Sequence, residues 1–169
     1  RAATVAASAV SVSAAESPFL VVNATTTDRL QLVLPGQTAV PGSVAGGARG
    51  LDGDPGNAQA GSNYVVTVNL TDRFYNVKTN ATPQVMIQTT DPYDTHPGTR
   101  TLTNGSTTFT VVFHTAAGPW TITASTTPIH ITPPLESFTS ANVTVTPGPA
   151  AKLQVLMPGE TAVPGKPPY

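Results

Sequence analysis

A segment of thirteen residues occurs twice in this chain, and that duplication limits the possible folds more than any other feature. Residues 30 to 42 read LQLVLPGQTAVPG, and residues 153 to 165, 123 positions later, read LQVLMPGETAVPG. Nine of the thirteen positions are identical, and three of the other four exchange one apolar side chain for another. At the same offset, without a gap, SPFLVVNATTTDR (17 to 29) falls on SANVTVTPGPAAK (140 to 152). The expected organisation has three parts. Residues 1–28 are the tail of a preceding repeat or an N-terminal extension, and 29–151 form one full unit. Residues 152–169 are then the first strand of a following repeat or an exchanged strand.

Between the two copies, the residues alternate with the period of a half-buried strand. Leu30, Leu32 and Leu34 alternate with Gln31 and Val33 up to the Pro35-Gly36 turn. Tyr64, Val66, Val68 and Leu70 share one face, opposite Val65, Thr67 and Asn69. Val85 and Ile87 mark a shorter strand. Phe109, Val111 and Phe113 follow the hairpin signal Asn104-Gly105, and Trp120, Ile122 and Ala124 follow Gly118-Pro119. Ala141, Val143 and Val145 precede Pro147-Gly148-Pro149. These rows amount to about seven strands, which with no amphipathic helix of useful length predicts an all-β, immunoglobulin-like β-sandwich of antiparallel strands. An extra strand segment is shared with neighbouring units. Tyr64, Phe109, Phe113 and Trp120 are expected to supply most of the core. Residues 41 to 62 are Gly-rich, polar and without periodicity, so a long loop is expected there. Residues 126 to 139 form a second, Pro-rich passage.

Composition excludes several function classes. Eight basic and nine acidic residues give a net charge of −1, with no basic cluster to neutralise phosphates, so nucleic-acid binding is not expected. No apolar run is long enough to span a membrane. Cysteine is absent, which removes disulfides, thiolate nucleophiles and thiolate zinc sites. Only 10% of residues are charged and 17 are proline, a composition that disordered chains also show. Alternation with aromatics on the apolar side argues for a packed fold instead.

No catalytic constellation stands out, and the chain is expected not to be an enzyme. His96, His114 and His130 are scattered and show no paired spacing for a metal. Asp52, Asp54, Asp72, Asp91 and Asp94 fall in loops or at strand ends, where carboxylates can supply hard ligands to Ca2+. The same residues are ordinary turn formers, and LDGDPGN lacks the later acidic ligand of an EF-hand, so the expectation is no cofactor, with Ca2+ as the alternative. Five Asn-x-Ser/Thr sequons occur. The one at Asn80 is followed by Pro83 and is a poor acceptor, which leaves Asn23, Asn69, Asn104 and Asn142 as candidate glycan carriers. Tyr75, Tyr93 and Trp120 are the aromatics that could meet a ligand. Tyr93, in DPYDTHPG, is the best exposed of them, and Trp120 belongs with the core row.

LQVLMPGETAVPG, YVVTVNLTDRFYNV (64 to 77), the Asp91-Pro92 segment, TLTNGSTTFTVVFHTAAG (101 to 118) and PWTITAS (119 to 125) together carry a family likeness. They resemble the tandem Ig-like repeats of large bacterial surface and secreted proteins, and more distantly the invasin-type and filamin-like sandwiches. The resemblance covers about residues 17 to 165. It implies an extracellular or cell-surface bacterial stalk, fibre or adhesin, with no catalytic residues to carry over. The expected role is a structural building block of a filament. Its partners are neighbouring copies or repeats, joined head to tail through Leu30, Leu32, Leu34, Leu153, Val155 and Met157. The alternative is an adhesin module that binds a glycan or a cell-surface receptor through Tyr93.

Overall fold

The computed structural model describes residues 29–127 and 135–168. The strands, in chain order, are β1 (Arg29–Val33), β2 (Thr38–Ala39), β3 (Leu51–Asp52), β4 (Ala58–Gln59), β5 (Asn63–Thr71), β6 (Gln84–Thr89), β7 (Arg100–Thr101), β8 (Ser106–Val112), β9 (Ala117–Trp120), β10 (Ile122–Thr126), β11 (Phe138–Thr139) and β12 (Val143–Thr146). Among the described residues the one helical element is a short 3-10 turn at Ala45–Gly47, and no helix is long and apolar enough to cross a membrane.

One layer has the order β1-β5-β8, antiparallel throughout, with Leu30 opposite Leu70, Leu32 opposite Val68 and Val66 opposite Phe109. The facing layer runs β11-β10-β6-β7 and continues into β4-β12-β9. A break at Thr121 and Ser140–Asn142 separates those two pieces, and side chains close it. Ile122 N donates to Ser140 Oγ at 2.9 Å, and Thr121 N donates to Thr90 Oγ1 at 2.9 Å. Hydroxyls thereby replace the ladder carbonyls that the break removes, so the backbone groups stay paired. With β9–β10 and β11–β12 each taken as one interrupted strand, the seven main strands form an immunoglobulin-like β-sandwich, and β4 adds a parallel edge piece to β12.

The inward rows expected from alternation are buried: Leu30, Leu32 and Leu34; Tyr64, Val66, Val68 and Leu70; Val85 and Ile87; Phe109, Val111 and Phe113; Ile122 and Ala124; Val143 and Val145. Tyr64 meets Phe113 edge-on, with ring centroids 5.8 Å apart. Each large aromatic buried in this way contributes a few kcal/mol, at roughly 25 cal/mol per Å2 of apolar surface. Trp120 departs from the expected row. It is half-buried at the edge of the core, because its indole N–H reaches the Thr115 carbonyl at 2.9 Å. A buried indole needs such a partner, and this one lies at the rim.

Candidate assembly site

The two copies of the repeated segment share their local geometry and differ in their surroundings. In the first copy Leu34 N donates to Gln37 Oε1 at 3.2 Å, Gln37 N donates to the Leu34 carbonyl at 3.0 Å, and Gly36 has φ +87°. In the second copy Met157 N donates to Glu160 Oε2 at 2.7 Å, Glu160 N donates to the Met157 carbonyl at 3.0 Å, and Gly159 has φ +92°. Proline followed by a positive-φ glycine is the requirement of a type II turn, and the Gln or Glu side chain caps it in both places. A second turn also recurs. Ser43 N reaches the Val40 carbonyl at 3.2 Å around Gly42, and Lys166 N reaches the Val163 carbonyl at 3.3 Å around Gly165.

The surroundings could hardly differ more. Leu30 and Leu32 are 0% exposed and Leu34 is 2% exposed, inside the core cluster. Their counterparts Leu153, Val155 and Met157 are 100%, 83% and 65% exposed, and residues 151–157 belong to no strand. Of the candidate assembly residues, then, the first three lie in a completed sheet and the last three stand in solvent.

The Gly-rich stretch after the first copy, expected as a long loop at 41 to 62, carries two short strand pieces, β3 and β4, within that loop. Thr38 pairs with Asp52 and Ala39 with Leu51, so residues 35–57 fold back as a hairpin arm, which ends at β4. The arm lies over the outer face of β1. Gln31, a polar position in the strand pattern, is fully buried beneath it and donates to the Gly50 carbonyl at 2.7 Å. Gly50 has φ +67°, and a Cβ there would overlap both the Tyr75 ring and Gln31 Nε2, so only glycine lets the arm approach this closely. Tyr75 is consequently buried rather than exposed, with its hydroxyl 3.2 Å from Arg29 Nη1, and it leaves the set of possible ligand contacts. The signal in the sequence was the glutamine itself, retained as Gln154 in the second copy.

The end of the sandwich from which residues 147–168 leave is organised by Asp91. Its carboxylate is 1% exposed and accepts from Thr115 Oγ1 at 2.7 Å, Thr115 N at 3.0 Å, His114 N at 2.9 Å and Tyr93 N at 3.1 Å. Burial works against ionisation here. The hydrogen bonds from Thr115, Tyr93 and His114 outweigh it and hold the carboxyl below its ordinary value. Gly165 packs onto this same segment. A Cβ on it would fall 2.9 Å from both the His114 carbonyl carbon and Thr115 N, and would overlap Thr115 Oγ1. Among residues 151–168 it is the one that is not exposed.

The remaining candidate residues do not converge. Asp72 is buried at the opposite end of the sandwich, where Oδ1 accepts from Phe74 N at 2.8 Å and Asn76 N at 3.0 Å, which fixes the loop after β5. Asp52 caps Gly53 N within the arm, Asp54 is exposed there, and Asp94 pairs with His96 Nδ1 at 2.6 Å. No group of three or more His, Asp or Glu side chains able to hold a metal occurs among the described residues. His114 Nε2 lies 3.2 Å from Thr95 Oγ1. His130 and Asn23 lie outside the described residues, as does the proposed N-terminal piece 1–28.

Asn69 is corrected as a glycan carrier. It is buried in the β1–β5 ladder, with its amide donating to Gln31 Oε1 at 3.2 Å and its oxygen accepting from Ser106 Oγ at 2.8 Å. Asn104 and Asn142 are exposed. Tyr93 is half-buried beside Asp91. A hollow of about 230 Å3 lies between the arm and β11, with Arg49 and Asp54 as its charged lining residues. Arg49 is committed to structure there, since its guanidinium sits 3.6 Å over the Phe138 ring and donates to the Thr139 carbonyl at 2.7 Å.

No family model matches this chain, and no curated protein matches it. Among solved structures, it is similar to a glycosyl hydrolase family 2 member from Bacteroides cellulosilyticus, at 13% identity and a TM-score of 0.49. The likeness covers 73% of this chain and spans 15% of the length of that one.

Proposed function

We propose that this chain is a structural building block of an extracellular bacterial fibre, stalk or surface filament, assembled from Ig-like units joined head to tail. One observation carries the reading. Residues 153–165 hold the same capped turn and the same following Pro-Gly turn as residues 30–42, yet present Leu153, Val155 and Met157 to water, where the first copy buries its leucines. An extended apolar segment with preset turns, outside any sheet of the described residues, is matched to a slot that a further unit provides. A heterologous contact of this kind repeats without closing and builds a linear array. Placement outside the cell is supported by the resemblance to surface repeats, the absence of cysteine and the sparse charge.

Electron microscopy of native material tests the proposal. Rods with a regular axial step are expected, and isolated globules at high concentration would overturn it.

A further inference from the structure

We infer that successive units are locked end to end through a specific junction, in which the Pro-Gly turn of the following unit, represented by Gly165, seats on His114 and Thr115 of the unit before it. This rests on the reading of residues 153–165 as the opening of a second unit, and it adds which surfaces meet.

The turn has two sides, and the first copy shows what each is for. On one side Gly42 N donates to the Phe74 carbonyl at 2.7 Å, which fastens the turn to the loop after β5 in its own unit. On the other side a Cβ at Gly42 would meet nothing within 4 Å. That vacant side of the turn is the one by which Gly165 lies on His114 and Thr115. The two contacts use different sides, so one turn can serve its own unit and the preceding unit together.

Surface composition agrees with this assignment. Of the five large hydrophobic residues exposed within 29–127, four (Val40, Val44, Phe74 and Val77) belong to the segments around Gly42 and its anchoring loop. They form an apolar rim on the end that would receive a preceding unit. The receiving segment is tied to Asp91, whose carboxylate accepts from the backbone N–H groups of both His114 and Thr115. The occupant of the apolar end is therefore the opposite end of another copy of this fold.

The test uses a chain in which residues 43–151 follow Gly165 directly, so that the second unit is complete. Amides of 153–157 are expected to exchange at least about tenfold more slowly than in the 169-residue chain, approaching those of β1. The two units are expected to tumble as one body by NMR relaxation. Gly165→Ala should release them into independent tumbling. Gly42→Ala, which carries the same positive-φ strain on an open side, should not.

In the 169-residue chain, where no second unit can unfold, Gly165→Ala should shift the amide signals of His114 and Thr115, and Gly42→Ala should leave them in place. Slowed exchange with independent tumbling, equal effects of the two alanines, or unshifted His114 and Thr115 signals would overturn the junction and leave the fibre reading intact. Unchanged exchange at 153–157 would overturn both.

Discussion

The Asn69 amide donates to Gln31 Oε1 at 3.2 Å across the ladder between β1 and β5, and Gln31 passes the connection on to the Gly50 carbonyl of the arm at 2.7 Å. Removing Gln31 strands the buried Asn69 amide donor and takes one of two hydrogen bonds from the Gly50 carbonyl, which keeps the one from Val40 N. Gln31→Ala should therefore destabilise the unit by about 2–3 kcal/mol, near the upper end for unsatisfied buried polar groups. Chemical denaturation read by Trp120 fluorescence measures it. Gln154→Ala in the same chain should change nothing, because Gln154 is exposed.

The paired leucine positions make a second prediction. Leu30 is fully buried, so Leu30→Ala should cost about 3 kcal/mol through lost burial and the cavity left behind. Leu153→Ala should fall within about 0.5 kcal/mol of the parent, as surface changes do. Equal losses at both positions in the 169-residue chain would mean that residue 153 already occupies a sheet, contrary to its full exposure.

The sandwich was legible in the sequence because its strands alternate with period two, and one buried face per strand writes that period into the residues. The arm was not legible for an equally physical reason. It is held by glycine-permitted close approach and by backbone bonds such as Val40 N to the Gly50 carbonyl at 2.7 Å, and neither leaves a hydrophobic period. Tyr75 was misplaced because a positive φ of +64° turns it inward, which no pattern rule anticipates for tyrosine. Asn69 and Gln31 read as outward polar positions, and only the arm above β1 makes their shared network a buried one. At the candidate site, the duplicated segment was readable and the surface it rests on was not. The contact of Gly165 with His114 and Thr115 joins residues about fifty positions apart, through a residue with no side chain to signal it.

Tyr64 ties the base of the arm to the core by donating its hydroxyl to the Gly56 carbonyl at 2.9 Å. Burial opposes the phenolate and pushes its pKa from 10.0 up to about 12. The folded value is raised, so its contribution is fully present below pH 10 and is lost as the pH climbs from about 10 towards 12. Stability should fall across that window. Tyr64→Phe should flatten the fall, at a cost near neutrality of about 1 kcal/mol for the lost hydrogen bond. Denaturation midpoints from pH 9 to 11, with phenolate absorbance followed in parallel, decide it; an unchanged slope in the phenylalanine variant would refute the assignment.

Asp91 predicts the opposite end of the pH scale. Its folded pKa is lowered by the hydrogen bonds that converge on it, so its contribution is present above the unfolded value near 3.8 and fades as the pH falls through the lower folded value. The unit should therefore begin to lose stability below about pH 4, with the His114 and Thr115 amides the first to gain hydrogen exchange, since both donate to this carboxylate. Asp91→Asn keeps the shape but turns a donor towards groups that are themselves donors. It should cost about 2–3 kcal/mol at pH 7, the range for hydrogen bonds to a charged acceptor, and should remove the acid dependence. Stability of the variant that still declines in parallel with the parent below pH 4 would assign the acid sensitivity to other carboxylates. The same acidification should free Gly165 from His114 and Thr115 before the sandwich itself unfolds, because the platform loosens first.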